Sequence, residues 1–189
     1  MSLINLNFQD MKVLVVDDSS TARRFVTEML HEMGVGAVKG AVDGAEAISV
    51  LRTFPADIML CDLHMTPLDG IELTRLLRNS SDSPNPYIPI VMLTGDATQV
   101  QLKNAVNAGA QAFMTKPVKM NALHRKLFAI LSRPLIYVRE NRTLRPVLAP
   151  SSCEAAPDAV PAQAPAVERA PELAEVGPPP LTRRDLGVR

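Results

Sequence analysis

Four short apolar runs in this 189-residue chain end on a residue that could do chemistry. Lys12 to Val16 ends on Asp17-Asp18, Ile58 to Cys61 on Asp62, Ile88 to Leu93 on Thr94, and Gln111 to Met114 on Thr115-Lys116-Pro117. Taken singly none is decisive, because a strand-end Asp or Thr commonly closes a turn and a Lys-Pro pair carries little information. Taken together they define a chemistry. Two carboxylates 4 Å apart repel by roughly 4 kcal/mol at an effective dielectric near 20, so three of them gathered in one pocket call for a cation. Oxygen donors without histidine or thiolate at ligand spacing select a hard ion such as Mg²⁺. With such an ion alongside, Asp62 becomes a nucleophile towards phosphorus and the product is an acyl phosphate. The Lys116 ammonium and the Thr94 hydroxyl are the remaining groups able to neutralise the equatorial oxygen charge.

These residues converge only if the intervening segments fold appropriately. Between the first two runs, Ala22, Phe25, Val26, Met29, Leu30 and Met33 fall on one helical stripe, stopped by Gly34. Val35 to Ala41 reads as a weaker strand. Asp43 with Glu46, Asp69 with Glu72 and Thr98 with Gln101 each place a capping residue three positions before a carboxylate or amide, opening three more helices. Leu123, Leu127, Ile130 and Leu131 mark a last helix closing near Arg133. Five strand-helix units in alternation predict a doubly wound α/β fold, a five-stranded parallel sheet with helices on both faces. In such sheets functional groups collect outside the carboxyl ends of the strands where strand order reverses. With the order 2-1-3-4-5, Asp17, Asp18 and Asp62 come from adjacent strands.

The bulk composition narrows the alternatives. With 47% hydrophobic residues the chain can build one well-packed domain and an appendage. Twenty basic and twenty acidic residues balance, which argues against nucleic acid or anionic lipid as a partner recruited by net charge. Cys61 and Cys153 form no framework or metal spacing, and no apolar segment is long enough for a signal peptide or a bilayer span, so a soluble cytoplasmic protein is expected. Ten of the 16 prolines lie between Pro134 and Pro180, with Tyr137 the only aromatic among them. This composition predicts a mostly disordered tail over 134–189, after a domain at 11–133 and an N-terminal extension at 1–10.

Asp17-Asp18-Ser-Ser-Thr-Ala-Arg-Arg24, Asp62 with Met65 and Asp69-Gly70, Thr94-Gly95, and Lys116-Pro117 resemble the CheY-like receiver domains of two-component response regulators. The resemblance covers about residues 11 to 133. It implies that Asp62 accepts phosphate from a histidine kinase or phosphotransfer protein. It also implies that Asp18, Asp62 and the backbone carbonyl of His64 bind Mg²⁺ directly, and Asp17 through water. Thr94 would be the switch hydroxyl, Phe113 the switch aromatic and Lys116 the partner of the phosphate, while His64 and Asp96 occupy positions that tune phosphate lifetime. A downstream protein would read the surface of the fourth helix, fifth strand and fifth helix, and the resemblance favours chemotaxis as the process. The chain departs from the family pattern at Met65-Thr66-Pro67, where proline comes one residue late, and at Phe113, where CheY has a tyrosine. A phosphate-independent scaffold is an alternative. A phosphoaspartyl phosphatase is a weaker one, since no Asp-x-Asp follows the first strand. No output domain is visible, so the expected product is a phospho-acceptor switch and not a turnover enzyme.

Overall fold

The computed structural model describes residues 7–95, 98–132, 135–140 and 143–148, all within one compact unit, Met1–Ser151. The elements alternate as β1 (Lys12–Val16), α1 (Ser20–Glu32), β2 (Ala37–Ala41), α2 (Gly44–Thr53), β3 (Ile58–Asp62), α3 (Gly70–Asn79), β4 (Ile90–Thr94), α4 (Gln99–Ala108), β5 (Ala112–Thr115) and α5 (Met120–Leu131). The five strands are parallel in the order β2-β1-β3-β4-β5. This is the expected doubly wound architecture.

Side-chain alternation divides the core into two layers. Val13, Val15, Ile58, Leu60, Val91 and Leu93 pack with Val26, Met29 and Leu30 of α1 and Leu123, Leu127 and Ile130 of α5. Leu14, Met59, Cys61, Ile90 and Met92 pack with Ala47 and Leu51 of α2, Leu73 and Leu77 of α3 and Ala105 of α4. Both faces of β3 and β4 are covered, which is why those strands read as unbroken apolar runs.

The anticipated caps form at α3 and α4, where Asp69 with Glu72 and Thr98 with Gln101 satisfy backbone donors reciprocally. At α2 only half of the box is made: Asp43 accepts from the Glu46 amide, whereas the Glu46 carboxylate reaches back to the amide of Val42. Strand β2 begins at Ala37, two residues later than the sequence suggests, because the Val35 amide bonds Leu30 at the end of α1 and not the sheet.

The segment after the expected boundary at Arg133 begins with two further strands. Leu135–Glu140 (β6) and Thr143–Leu148 (β7) form an antiparallel hairpin at the start of the segment 134–189, for which a mostly disordered tail is expected. β7 packs against α3 and α4, burying Leu144. Pro146 takes a place in the ladder of a two-stranded sheet, where both strands are edges and a missing donor is tolerated. The remainder of the expected tail, 149–189, lies outside the described residues.

Candidate functional site

The site forms where β1 and β3 end. Val16 pairs with Cys61, so the next residues along each strand, Asp17 and Asp62, emerge side by side. Both are buried, while Asp18 is exposed. Carboxylate oxygens of Asp17, Asp18 and Asp62 lie within 4.8 Å of one another. Asp17 is held by the Ser19 amide, which donates to Oδ1 at 2.9 Å, and Arg23 Nη1 donates to the Asp17 carbonyl at 2.5 Å. Behind Asp62, α3 approaches so closely that a Cβ on Gly70 would fall 2.3 Å from the Asp62 carbonyl oxygen. That contact is the physical reason for glycine at this position.

Lys116, one residue past β5, spans the acids. Its Nζ lies 2.6 Å from Asp17 Oδ2 and 2.9 Å from Asp62 Oδ2. Burial alone would lower its pKa, but hydrogen bonds to Asp17 and Asp62 and the charges of both carboxylates outweigh that and raise it above 10.5. The amine is therefore cationic at neutral pH and neutralises part of the acid cluster. All-oxygen donors at this spacing, with one acid open to solvent, suit a hard divalent ion. The neighbouring Cys61 thiol is pushed up, chiefly by burial and then by the charges of Asp62 and Asp17, so it stays protonated and donates to the Asp62 carbonyl.

Thr94 closes β4 and is buried on the same face as Ile90 and Met92, beneath α3 and α4. Phe113, paired with Met92 across β4 and β5, packs half-buried against that layer. The His64 side chain is exposed. Its Nε2 lies 3.2 Å from Gln101 Nε2, linking the loop after Asp62 to the first turn of α4. Asp96 lies outside the described residues.

A family model for the response regulator receiver domain matches residues 13–128, more than half the chain. The chain belongs to that family. Chemotaxis protein CheY-3 of Vibrio cholerae is 33% identical to this receiver over 125 residues, which is 66% of this chain and 95% of the relative. The receiver domain of a Pseudomonas aeruginosa sensor histidine kinase, solved with a magnesium ion coordinated in its active-site cleft, is 27% identical. It superposes with a TM-score of 0.58, covering 65% of this chain and 98% of that one. The Saccharomyces cerevisiae Ssk1 receiver domain, solved with the histidine phosphotransfer protein Ypd1, is 26% identical with a TM-score of 0.56. That match covers 64% of this chain and 88% of that chain. CheY-like receivers are signalling modules of two-component systems, and this receiver shares their strand order and an acid cluster suited to Mg²⁺.

Sequence reasoning brought Asp17, Asp18, Asp62 and Lys116 together as the structure does. It missed Gln101 as the partner of His64, because the two are 37 positions apart and Gln101 reads as a cap. It also missed a buried polar cluster around Arg78 at the opposite end of the sheet, for which the isolated Tyr137 was the only signal.

Proposed function

We propose that this receiver accepts a phosphoryl group on Asp62 from a phosphohistidine of a kinase or phosphotransfer protein, and that the phosphorylated state alters a partner-binding surface. The position of the Lys116 amine, within hydrogen-bond reach of both Asp17 and Asp62, is the observation that carries this reading. An Asp62 oxygen forms the bond to phosphorus as the P–N bond breaks, and the electron pair of that bond returns to the imidazole. Lys116 then exchanges its contact with Asp62 for one with a phosphoryl oxygen while keeping its bond to Asp17. Asp18 and Asp62 would hold Mg²⁺ directly with the His64 carbonyl, and Asp17 through water. When bound, the ion offsets the charge of the acids and of the incoming group.

Thr94 and Phe113 share the face beneath α4, so a Thr94 hydroxyl drawn to the phosphoryl group vacates space that Phe113 fills, changing the α4-β5-α5 surface. His64 and Asp96 tune the lifetime of the acyl phosphate. A groove of about 410 Å³ between α1 and the loop before α5, with Phe25, Met29, Val118 and Met120 in its wall, offers the phosphodonor an apolar foothold. Among the described residues no helix is long and apolar enough to cross a membrane. The similarity to CheY proteins makes chemotaxis the favoured process.

Phosphotransfer from candidate histidine kinases in the presence of Mg²⁺ tests the proposal. Wild type should acquire acid-stable but hydroxylamine-labile label and Asp62→Asn none. Equal labelling of both proteins would move the acceptor elsewhere. No labelling from any kinase or from acetyl phosphate would favour the phosphate-independent scaffold.

A further inference from the structure

The C-terminal hairpin touches the receiver far from the acid cluster, around a buried cation. Arg78, the penultimate residue of α3, is 2% exposed and meets no carboxylate among its hydrogen-bond partners. Its guanidinium donates to carbonyls in the loop before β4 (Pro86, 2.8 Å; Ile88, 2.7 Å) and twice to the carbonyl of Gly109, immediately after α4 (3.2 and 3.1 Å). The hairpin caps this cluster. The Tyr137 ring lies 5.6 Å from the guanidinium carbon, and its hydroxyl accepts from Gln111 Nε2 at 2.7 Å and donates to the Tyr87 carbonyl. On the α4 side, the Leu144 carbonyl lies 2.9 Å from where a Gly109 Cβ would stand, so β7 rests directly on the backbone that ends the helix.

The two ends of α4 are therefore held differently. Its C-terminal end is held from two sides, by the paired Arg78 hydrogen bonds to the Gly109 carbonyl and by the close approach of β7 at Leu144. Its first turn has the Thr98–Gln101 cap and, among the described residues, one side-chain hydrogen bond to another element, Gln101 to His64. Thr94 precedes the Thr98 cap by four residues, so the movement proposed for Thr94 acts nearest to that first turn.

We propose that the paired strands Leu135–Glu140 and Thr143–Leu148 are a clamp on the C-terminal end of α4, keyed by Tyr137 against Arg78, which restrains the helix in its resting placement and thereby opposes the phosphorylated state. This regulatory role rests on the receiver reading above. The clamp itself follows from the contacts alone.

Full-length wild type, Tyr137→Ala and Tyr137→Phe can be compared by amide hydrogen exchange, with and without Mg²⁺ and beryllofluoride as the phosphoryl mimic. Without ligand, Tyr137→Ala should exchange at least about tenfold faster both in the hairpin and over 105–110, with β1 and β3 unchanged. Tyr137→Phe, which keeps the ring and loses the hydroxyl, should lie between. Beryllofluoride should bind Tyr137→Ala at least about threefold tighter than wild type, since coupling between sites is reciprocal. Faster exchange confined to the hairpin overturns the clamp. Unchanged or weaker beryllofluoride binding overturns the regulatory role. Wild type that ignores beryllofluoride would refute the phosphoacceptor reading, while the ligand-free exchange would still decide the clamp.

Discussion

Lys116 sits between two carboxylates that would otherwise repel, so its effect on stability has a defined pH window. Its pKa in the folded chain is raised above the 10.5 of the free side chain. A base with a raised folded pKa contributes stability that is fully present below 10.5 and is lost as pH climbs through the higher folded value. Lys116→Met should therefore unfold more easily than wild type at neutral pH, and the gap measured by urea titration should narrow only above about 10.5. A gap already closing below pH 8 would assign the stabilisation to another group. Lys116→Met should also label far more slowly in phosphotransfer, because no other cationic side chain is paired with Asp62 among the described residues. Arg78 is the structural counterpart. Burial lowers its pKa to about 10, so it remains charged at neutral pH and depends on its carbonyl partners. Arg78→Ala strips the donors from three buried or half-buried carbonyls and should cost about 3 kcal/mol or more, read as a lower urea midpoint.

At the scale of elements, α4 is the piece whose sequence and surroundings matter most. Its N-cap Thr98 accepts from the Gln101 amide, and the Gln101 side chain bonds back to Thr98 and reaches His64. Thr98→Ala should cost about 1 kcal/mol and raise exchange in the first turn of α4 without affecting α3. An effect spread evenly over both helices would mean that the cap is not local. The capping pairs were legible in the sequence because a cap is a local pattern read over four residues. What the Glu46 carboxylate does instead, reaching Val42 and not Asp43, depends on the path of the chain arriving from β2. The hairpin was illegible for a related reason: β6 and β7 hold their place through Tyr137 against Arg78 and Gln111 and through Leu144 beside Gly109, partners supplied by elements remote in sequence.

For the molecule as a whole, the acid cluster is a local excess of negative charge that folding assembles, since Asp17 and Asp62 are far apart in an unfolded chain. A divalent ion should therefore bind the folded state in preference and stabilise it by about 2.7 kcal/mol at a hundredfold excess over its dissociation constant. Mg²⁺ should raise the melting temperature of wild type and leave that of Asp18→Asn nearly unchanged, as followed by calorimetry. An equal rise in both would place the ion elsewhere. The sequence by itself determined the alternation of strands and helices, the strand-end position of every acid and of Lys116, and the class of chemistry those groups support, because periodicity and residue type are properties of neighbours along the chain. Only the tertiary structure decided that Lys116 bonds Asp17 as well as Asp62, that Gln101 meets His64, and that the segment after α5 folds back on Arg78. These contacts join residues tens of positions apart, and their geometry is set by how helices and strands pack, which no local pattern encodes.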